Sequence, residues 1–123
     1  LAALAIGALI TNVALKNIIA RIRPYEVVEG LKLLIEPQSD FSFPSGHTCA
    51  SIGAALAMYP FLERKWGIPL VILAVLISLS RLYVGVHYPT DVLGGAVVGA
   101  FAAWGAVRIV KHGLVRKAKK AEK

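Results

Sequence analysis

The chain has 123 residues and a formal net charge of +7, and 57% of it is hydrophobic before its 11 glycines are counted. Soluble domains reach about 45–50% apolar with glycine included, and only 17% of the residues here are charged. That excludes a disordered chain and leaves too few polar residues to cover a soluble globule. On a soluble domain the basic excess would suggest nucleic acid. On so apolar a chain it points to a membrane with a basic cytoplasmic side, and no nucleic-acid partner is expected.

Four apolar segments follow one another. The first runs from Leu1 to about Ile22 and is uncharged until Lys16. It opens on Leu1 with no recognisable signal peptide, as expected of a chain with further residues upstream. The second, Phe41 to Leu62, holds no Asp, Glu, Lys or Arg. The third is Trp66 to Val86, interrupted by Arg81, and the fourth is Pro89 to Val110. Runs of about twenty residues rich in Ala, Leu, Ile, Val and Gly are too long for strands and match the length of spanning helices. The expected fold is all-α: a transmembrane helical bundle in one domain, residues 1–123, ending in a basic cytoplasmic tail at 111–123. Gly95, Gly99 and Ala103 recur every four residues, which permits close helix packing in lipid. The one cysteine, Cys49, lies in the small-residue run Thr48-Cys49-Ala50-Ser51 and is expected to pack rather than react.

Four spans put the first and third connections on one side and the second connection and tail on the other. The tail side carries nine of the 14 Lys and Arg residues: Arg64, Lys65 and all seven from Arg108 onward. The positive-inside rule then places the tail in the cytoplasm and the opposite helix ends outside.

The unusual polar residues fall at those outer ends. Lys16 and Arg23 are seven apart, nearly two turns, so a helix ended by Pro24 would align two cations as an anion clamp. In Phe43-Pro44-Ser45-Gly46-His47, Ser45 is a good N-cap and Gly46 admits an anion to the free amides of a helix start. His47 would lie beside that anion. In Ser80-Arg81-x5-His87-Tyr88-Pro89-Thr90-Asp91, Arg81 is a costly charge at a helix end and Pro89 suits a first turn. Asp91, four residues beyond His87, is placed to fix the tautomer of that imidazole and leave its other nitrogen free. Three cations, two histidines, one carboxylate and a helix N-terminus together suit a phosphoryl group, whose transfer needs positioning and charge neutralisation above all. Arg21 is expected to snorkel, Asp40 and Glu36 to lie on a loop surface, His112 to be solvated, and Tyr83, Tyr88, Trp66 and Trp104 to form interfacial belts or pack.

The pattern Lys16-x6-Arg23-Pro24, Pro44-Ser45-Gly46-His47 and Ser80-Arg81-x5-His87-x3-Asp91 resembles the three-part signature of the type 2 phosphatidic acid phosphatase superfamily. The resemblance implies His87 as the nucleophile forming a phosphohistidine, Asp91 as its orienting carboxylate and His47 as general acid and then base. Lys16, Arg23 and Arg81 would clamp the phosphate, completed by Ser45 and the Gly46 amide, with no metal and no cofactor. Membrane members of the family usually have six spanning helices, so four here would be the last four. The implied function is an integral membrane phosphatase of the cell membrane, acting at its extracytoplasmic face on a lipid substrate. Phosphatidic acid, phosphatidylglycerol phosphate and undecaprenyl diphosphate all suit it. The alternatives are an acid phosphatase or vanadium haloperoxidase-like enzyme on the same scaffold, which the apolar segments disfavour, or a non-catalytic lipid-binding membrane protein, which the intact motifs disfavour.

Overall fold

The computed structural model describes residues 1–121, with side chains placed through Arg116. The tail lysines beyond it, Lys117, Lys119, Lys120 and Lys123, on which the expectation of a cytoplasmic tail partly rests, lie outside the described side chains. Among the described residues there are helices and loops and no strand. A first helical rod comprises α1 (Ala2–Ala8), a π-helical stretch (Leu9–Leu15) and α2 (Lys16–Ile19). A short α3 (Pro24–Val27) and an irregular loop lead to α4 (Gly46–Met58), which ends in a 3₁₀ turn at Tyr59–Phe61. Two long helices complete the bundle, α5 (Arg64–Tyr83) and α6 (Pro89–Ala121). The helix of the fourth segment thus continues beyond Val110 into the basic tail.

Three stretches, Ala2–Val27, Arg64–Tyr83 and Pro89–Arg116, are long and apolar enough to cross a membrane. The helix of the second segment falls below that length, although it still runs from the Lys16 end of the bundle to the opposite end, where Met58 lies near Leu1 and Val110. It has only 13 residues, about 20 Å, short of the roughly 17–25 residues of a span. Phe41 to Ser45 are spent on the approach and the cap, with the Ser42 N–H donating to the Arg21 carbonyl at 2.8 Å. Pro60, inside the 3₁₀ turn, closes the other end.

The packing reverses the logic of a soluble helix. On α6 the small residues Gly95, Gly99, Ala103 and Ala106 face inward, while Leu93, Val97, Phe101 and Trp104 are largely exposed. On α5, Ala74 and Ser78 are buried and Ile72, Leu76 and Leu79 are more than half exposed. Large apolar side chains outside and small ones inside suit lipid, where close backbone approach replaces hydrophobic burial as the source of helix association. The apolar outer faces and the three long helices make this a multi-pass membrane protein.

The α4–α6 contact is the closest of these approaches. A Cβ at Gly99 would lie 2.6 Å from the Cys49 carbonyl oxygen, and one at Gly95 2.5 Å from that of Ser45. Both obstacles are backbone, so neither yields by a rotamer change. Gly99→Ala is therefore expected to destabilise the protein by about 1–3 kcal/mol. Gly105→Ala, whose Cβ would meet nothing closer than Ile6 Cδ1 at 4.0 Å, is the control. Thermal unfolding in detergent checks this, and equal melting temperatures for the two variants would contradict it. Cys49 is buried, with its Sγ 2.9 Å from where a Gly7 Cβ would stand, as expected of a packing residue.

Candidate active site

The start of α4, the start of α6, the last turn of α5 and the Lys16 end of the first rod meet at one end of the bundle. Ser45 caps α4, its Oγ accepting from the Thr48 N–H at 3.4 Å and from Thr48 Oγ1 at 3.1 Å. The Ser45 N–H donates to the Asp91 carbonyl at 2.9 Å, which fastens α4 to the first turn of α6. These bonds hold Ser45 fully buried behind the cavity wall, while Gly46 and His47 line the cavity. The amide end of α4 therefore opens towards Lys16, whose Nζ lies 3.9 Å from where a Gly46 Cβ would stand.

Pro89 opens α6 as its sequence suggests, with Asp91 in the first turn. Asp91 is fully buried and accepts three hydrogen bonds. Its Oδ2 accepts from the Tyr88 N–H at 2.8 Å and from Ser42 Oγ, and its Oδ1 from Arg21 Nη1 at 2.8 Å. His87 Nδ1 is buried, makes no hydrogen bond among the described residues, and lies 3.5 Å from Asp91 Oδ2. Burial, then the nearby Arg23 charge, push the His87 pKa down to about 4 against the opposing pull of Asp91. The imidazole is neutral at neutral pH, and a proton on Nδ1 facing Asp91 leaves the Nε2 lone pair available.

The two cations expected to form the clamp are nearly enclosed, Lys16 at 6% and Arg23 at 2% exposure. Both bind Asp40: Lys16 Nζ takes its Oδ2, and Arg23 takes Oδ1 through Nη2 and the carbonyl through Nε at 2.8 Å. Arg23 Nη1 also donates to the Val86 carbonyl at 2.9 Å, next to His87. Burial raises the Asp40 pKa, but the Lys16 and Arg23 bonds outweigh it and hold the carboxyl below its usual range. Arg81 donates to Ser80 Oγ at 3.2 Å and, among the described residues, pairs with no carboxylate. A cavity of about 340 Å³ joins Lys16, Arg23, Arg81, Gly46, His47 and His87 at one end to an apolar wall of Ala3, Leu4, Gly7 and Ala8.

Several readings of the sequence change here. Lys16 and Arg23 do converge, but not along one helix face. The helix stops at Ile19, Ala20 adopts a left-handed conformation (φ 46°), and Arg21 to Arg23 are non-helical. Alanine is the strongest helix former, so nothing local announces that break. Arg21 does not snorkel; it binds Asp91 and Thr90 Oγ1 (2.6 Å) and lies over the Tyr88 ring, 4.0 Å from its centroid. Asp40 lies half-exposed on the loop as expected, and it is also the counter-ion of Lys16 and Arg23. The one local hint was an acid five residues before Ser45, close to a proposed anion site. Ser42, bonded to Asp91, had no such signal. Glu36 and His112 are exposed as expected, as are Tyr83, Trp66 and Trp104.

The PAP2 superfamily model matches residues 1–113. The chain is 37% identical over 103 residues to an undecaprenyl-diphosphatase of Sulfolobus acidocaldarius, covering 83% of this chain and 50% of that protein. It is 42% identical over 93 residues to the undecaprenyl-diphosphatase BcrC of Bacillus subtilis, covering 76% and 47%. The crystal structure of Aquifex aeolicus LpxE superposes with a TM-score of 0.80 at 29% identity, over 87% of this chain and 64% of that one. The chain spans about half the length of the curated relatives it matches. A family match over nearly the whole chain, falling on the same motif residues that the fold gathers around one cavity, means that the chain belongs to the PAP2 superfamily.

Proposed function

We propose that the protein is an integral membrane phosphatase that hydrolyses a lipid phosphate or diphosphate through a phosphohistidine on His87, without a metal ion. The observation that carries this is the cavity uniting Lys16, Arg23 and Arg81 with His47 and His87. Residues so far apart in the chain share one wall, and their charge suits an oxyanion. An entering phosphoryl group competes with the Asp40 carboxylate for Lys16 and Arg23, and meets Arg81 and the amide end of α4 as well.

The reaction then follows from the chemistry of these groups. The His87 Nε2 lone pair attacks phosphorus, the bond to the leaving oxygen breaks, and His47 gives that oxygen a proton. His47, now neutral, takes a proton from water, whose oxygen attacks the phosphohistidine and releases phosphate. Asp91 stabilises the charged imidazole ring of the intermediate. Lys16, Arg23 and Arg81 neutralise the phosphoryl oxygens, the task a metal performs elsewhere. Ser45 contributes by capping α4 and so fixing the Gly46 amide.

Undecaprenyl diphosphate is the favoured substrate. Two relatives are undecaprenyl-diphosphatases, and the apolar wall from α1 suits a hydrocarbon chain beside the headgroup. The cation asymmetry along the sequence supports an extracytoplasmic site and a cytoplasmic tail. Phosphate release by the full-length protein, from vesicles carrying undecaprenyl diphosphate, phosphatidic acid or phosphatidylglycerol phosphate in EDTA, tests the reading. Release from the prenyl diphosphate with undiminished rate in EDTA is expected. A strict need for Mg²⁺ overturns the cation clamp, and turnover of water-soluble esters alone overturns the lipid substrate.

A further inference from the structure

The Asp91 carboxylate is met from three segments of the chain. Arg21 reaches Oδ1 from the stretch after α2, at 2.8 Å. Ser42 reaches Oδ2 from the loop before α4, and the Tyr88 N–H reaches the same oxygen at 2.8 Å. Arg21 and Ser42 form one unit, because the Ser42 N–H donates to the Arg21 carbonyl at 2.8 Å. Arg21 is itself held in place by Thr90 Oγ1 at 2.6 Å and by the Tyr88 ring. Neither residue belongs to the three motifs, and neither lines the cavity that holds His87.

We propose that Arg21 and Ser42 are positioning residues that hold the Asp91 carboxylate and share its charge, so that His87 is aimed by Asp91 without being bound tightly by it. A carboxylate offers about four lone-pair sites, and three are taken before His87 is counted. The oxygen facing His87 already accepts two hydrogen bonds, and the Arg21 charge offsets part of the field that Asp91 exerts on the imidazole. The result is the 3.5 Å separation of Nδ1 from Oδ2, where a free Asp–His pair would close to a charge-assisted bond of about 2.7–2.9 Å. A neutral, lightly held imidazole is a nucleophile; one locked as imidazolium is not. The catalytic consequence rests on the proposed role of His87, but the effect on the imidazole does not.

The other charged or titratable groups facing this site are Lys16 on α2, Arg23 before α3, Asp40 in the loop, His47 on α4 and Arg81 on α5. Among the described residues none of them hydrogen-bonds the Arg21 side chain, which binds Thr90 and Asp91. The test is NMR titration of the His87 imidazole in the full-length protein in detergent, assigned with His87→Gln, beside the pH profile of kcat and KM. Arg21→Ala is expected to move the His87 midpoint upward by about 0.5–1 pH unit, with Arg21→Lys restoring most of it. Ser42→Ala is expected to give a smaller upward shift. The acid limb of kcat/KM moves with the midpoint, which stays below neutral pH, and kcat near pH 7 falls through the lost aim of His87 while KM holds. A residue that merely stabilised the fold would displace Asp91, and the midpoint would stay or drop; either result overturns the proposal. Should Arg21→Ala not fold, an unmoved midpoint in Ser42→Ala overturns it as well. An upward shift together with undiminished phosphate release from His87→Ala refutes the phosphohistidine reading and leaves the positioning inference standing.

Discussion

On the proposed mechanism, a His87→Ala variant of the full-length protein is expected to release lipid-derived phosphate about 10³-fold more slowly or worse, at unchanged expression and melting temperature. Losing a covalent nucleophile removes the whole two-step route, and such losses run to several orders of magnitude. The imidazole is buried, Nδ1 faces a carboxylate that already has its donors, and the pKa of about 4 keeps the ring neutral across physiological pH. The same value sets a sign: protonation of the nucleophile costs activity only as the pH falls towards about 4. The nucleophile therefore contributes no acid limb between pH 7 and pH 5. Mass measurement of acid-labile phosphate on the protein after rapid quenching adds a direct check. Phosphate release from His87→Ala at the parent rate removes His87 from the mechanism.

The second large effect is at Arg23. Arg23→Ala is expected to lower kcat/KM by about 10²–10³-fold, because in the proposed mechanism Arg23 is one of the cations that neutralise phosphoryl charge. It also frees the Asp40 carbonyl and the Val86 carbonyl, which Arg23 holds at 2.8 Å and 2.9 Å, and so loosens the segment next to His87. Arg23→Lys separates the two contributions. It keeps the charge but loses the planar fork that reaches Asp40 and Val86 together. Its expected loss is about 10-fold, mostly in kcat, and steady-state kinetics on lipid vesicles measures both. Equal losses in the two variants would mean that the fork, not the charge, carries the effect.

The parts of the site legible in the sequence are those that chemistry imposes locally. A serine before a glycine at the start of an apolar run reads as a cap, and Ser45 caps α4. Proline at the start of the next helix puts Asp91 in its first turn, four residues from His87, and the structure keeps that geometry. The Gly95, Gly99, Ala103 spacing marks the inward face of α6 for the same reason: only small side chains let two helix backbones touch. What stayed illegible is chiefly the pairing. Arg21 finds Asp91 across 70 residues, Ser42 finds it across 49, and Asp40 finds Lys16 across 24. No period or spacing rule extends that far.

The amino-acid sequence by itself therefore determined the membrane setting, the helical class, the caps and the motif residues gathered at one end of the bundle. Each depends on hydrophobic run length or on neighbours within a turn. Only the tertiary structure decided that the first rod breaks at Ala20, that α4 is shorter than its apolar segment, and that Arg21, Ser42 and Asp40 belong to the site. Those outcomes depend on which distant groups satisfy a buried charge. Lys16, Arg23 and Asp91 are all buried charges, and each is held by partners that only the folded chain supplies.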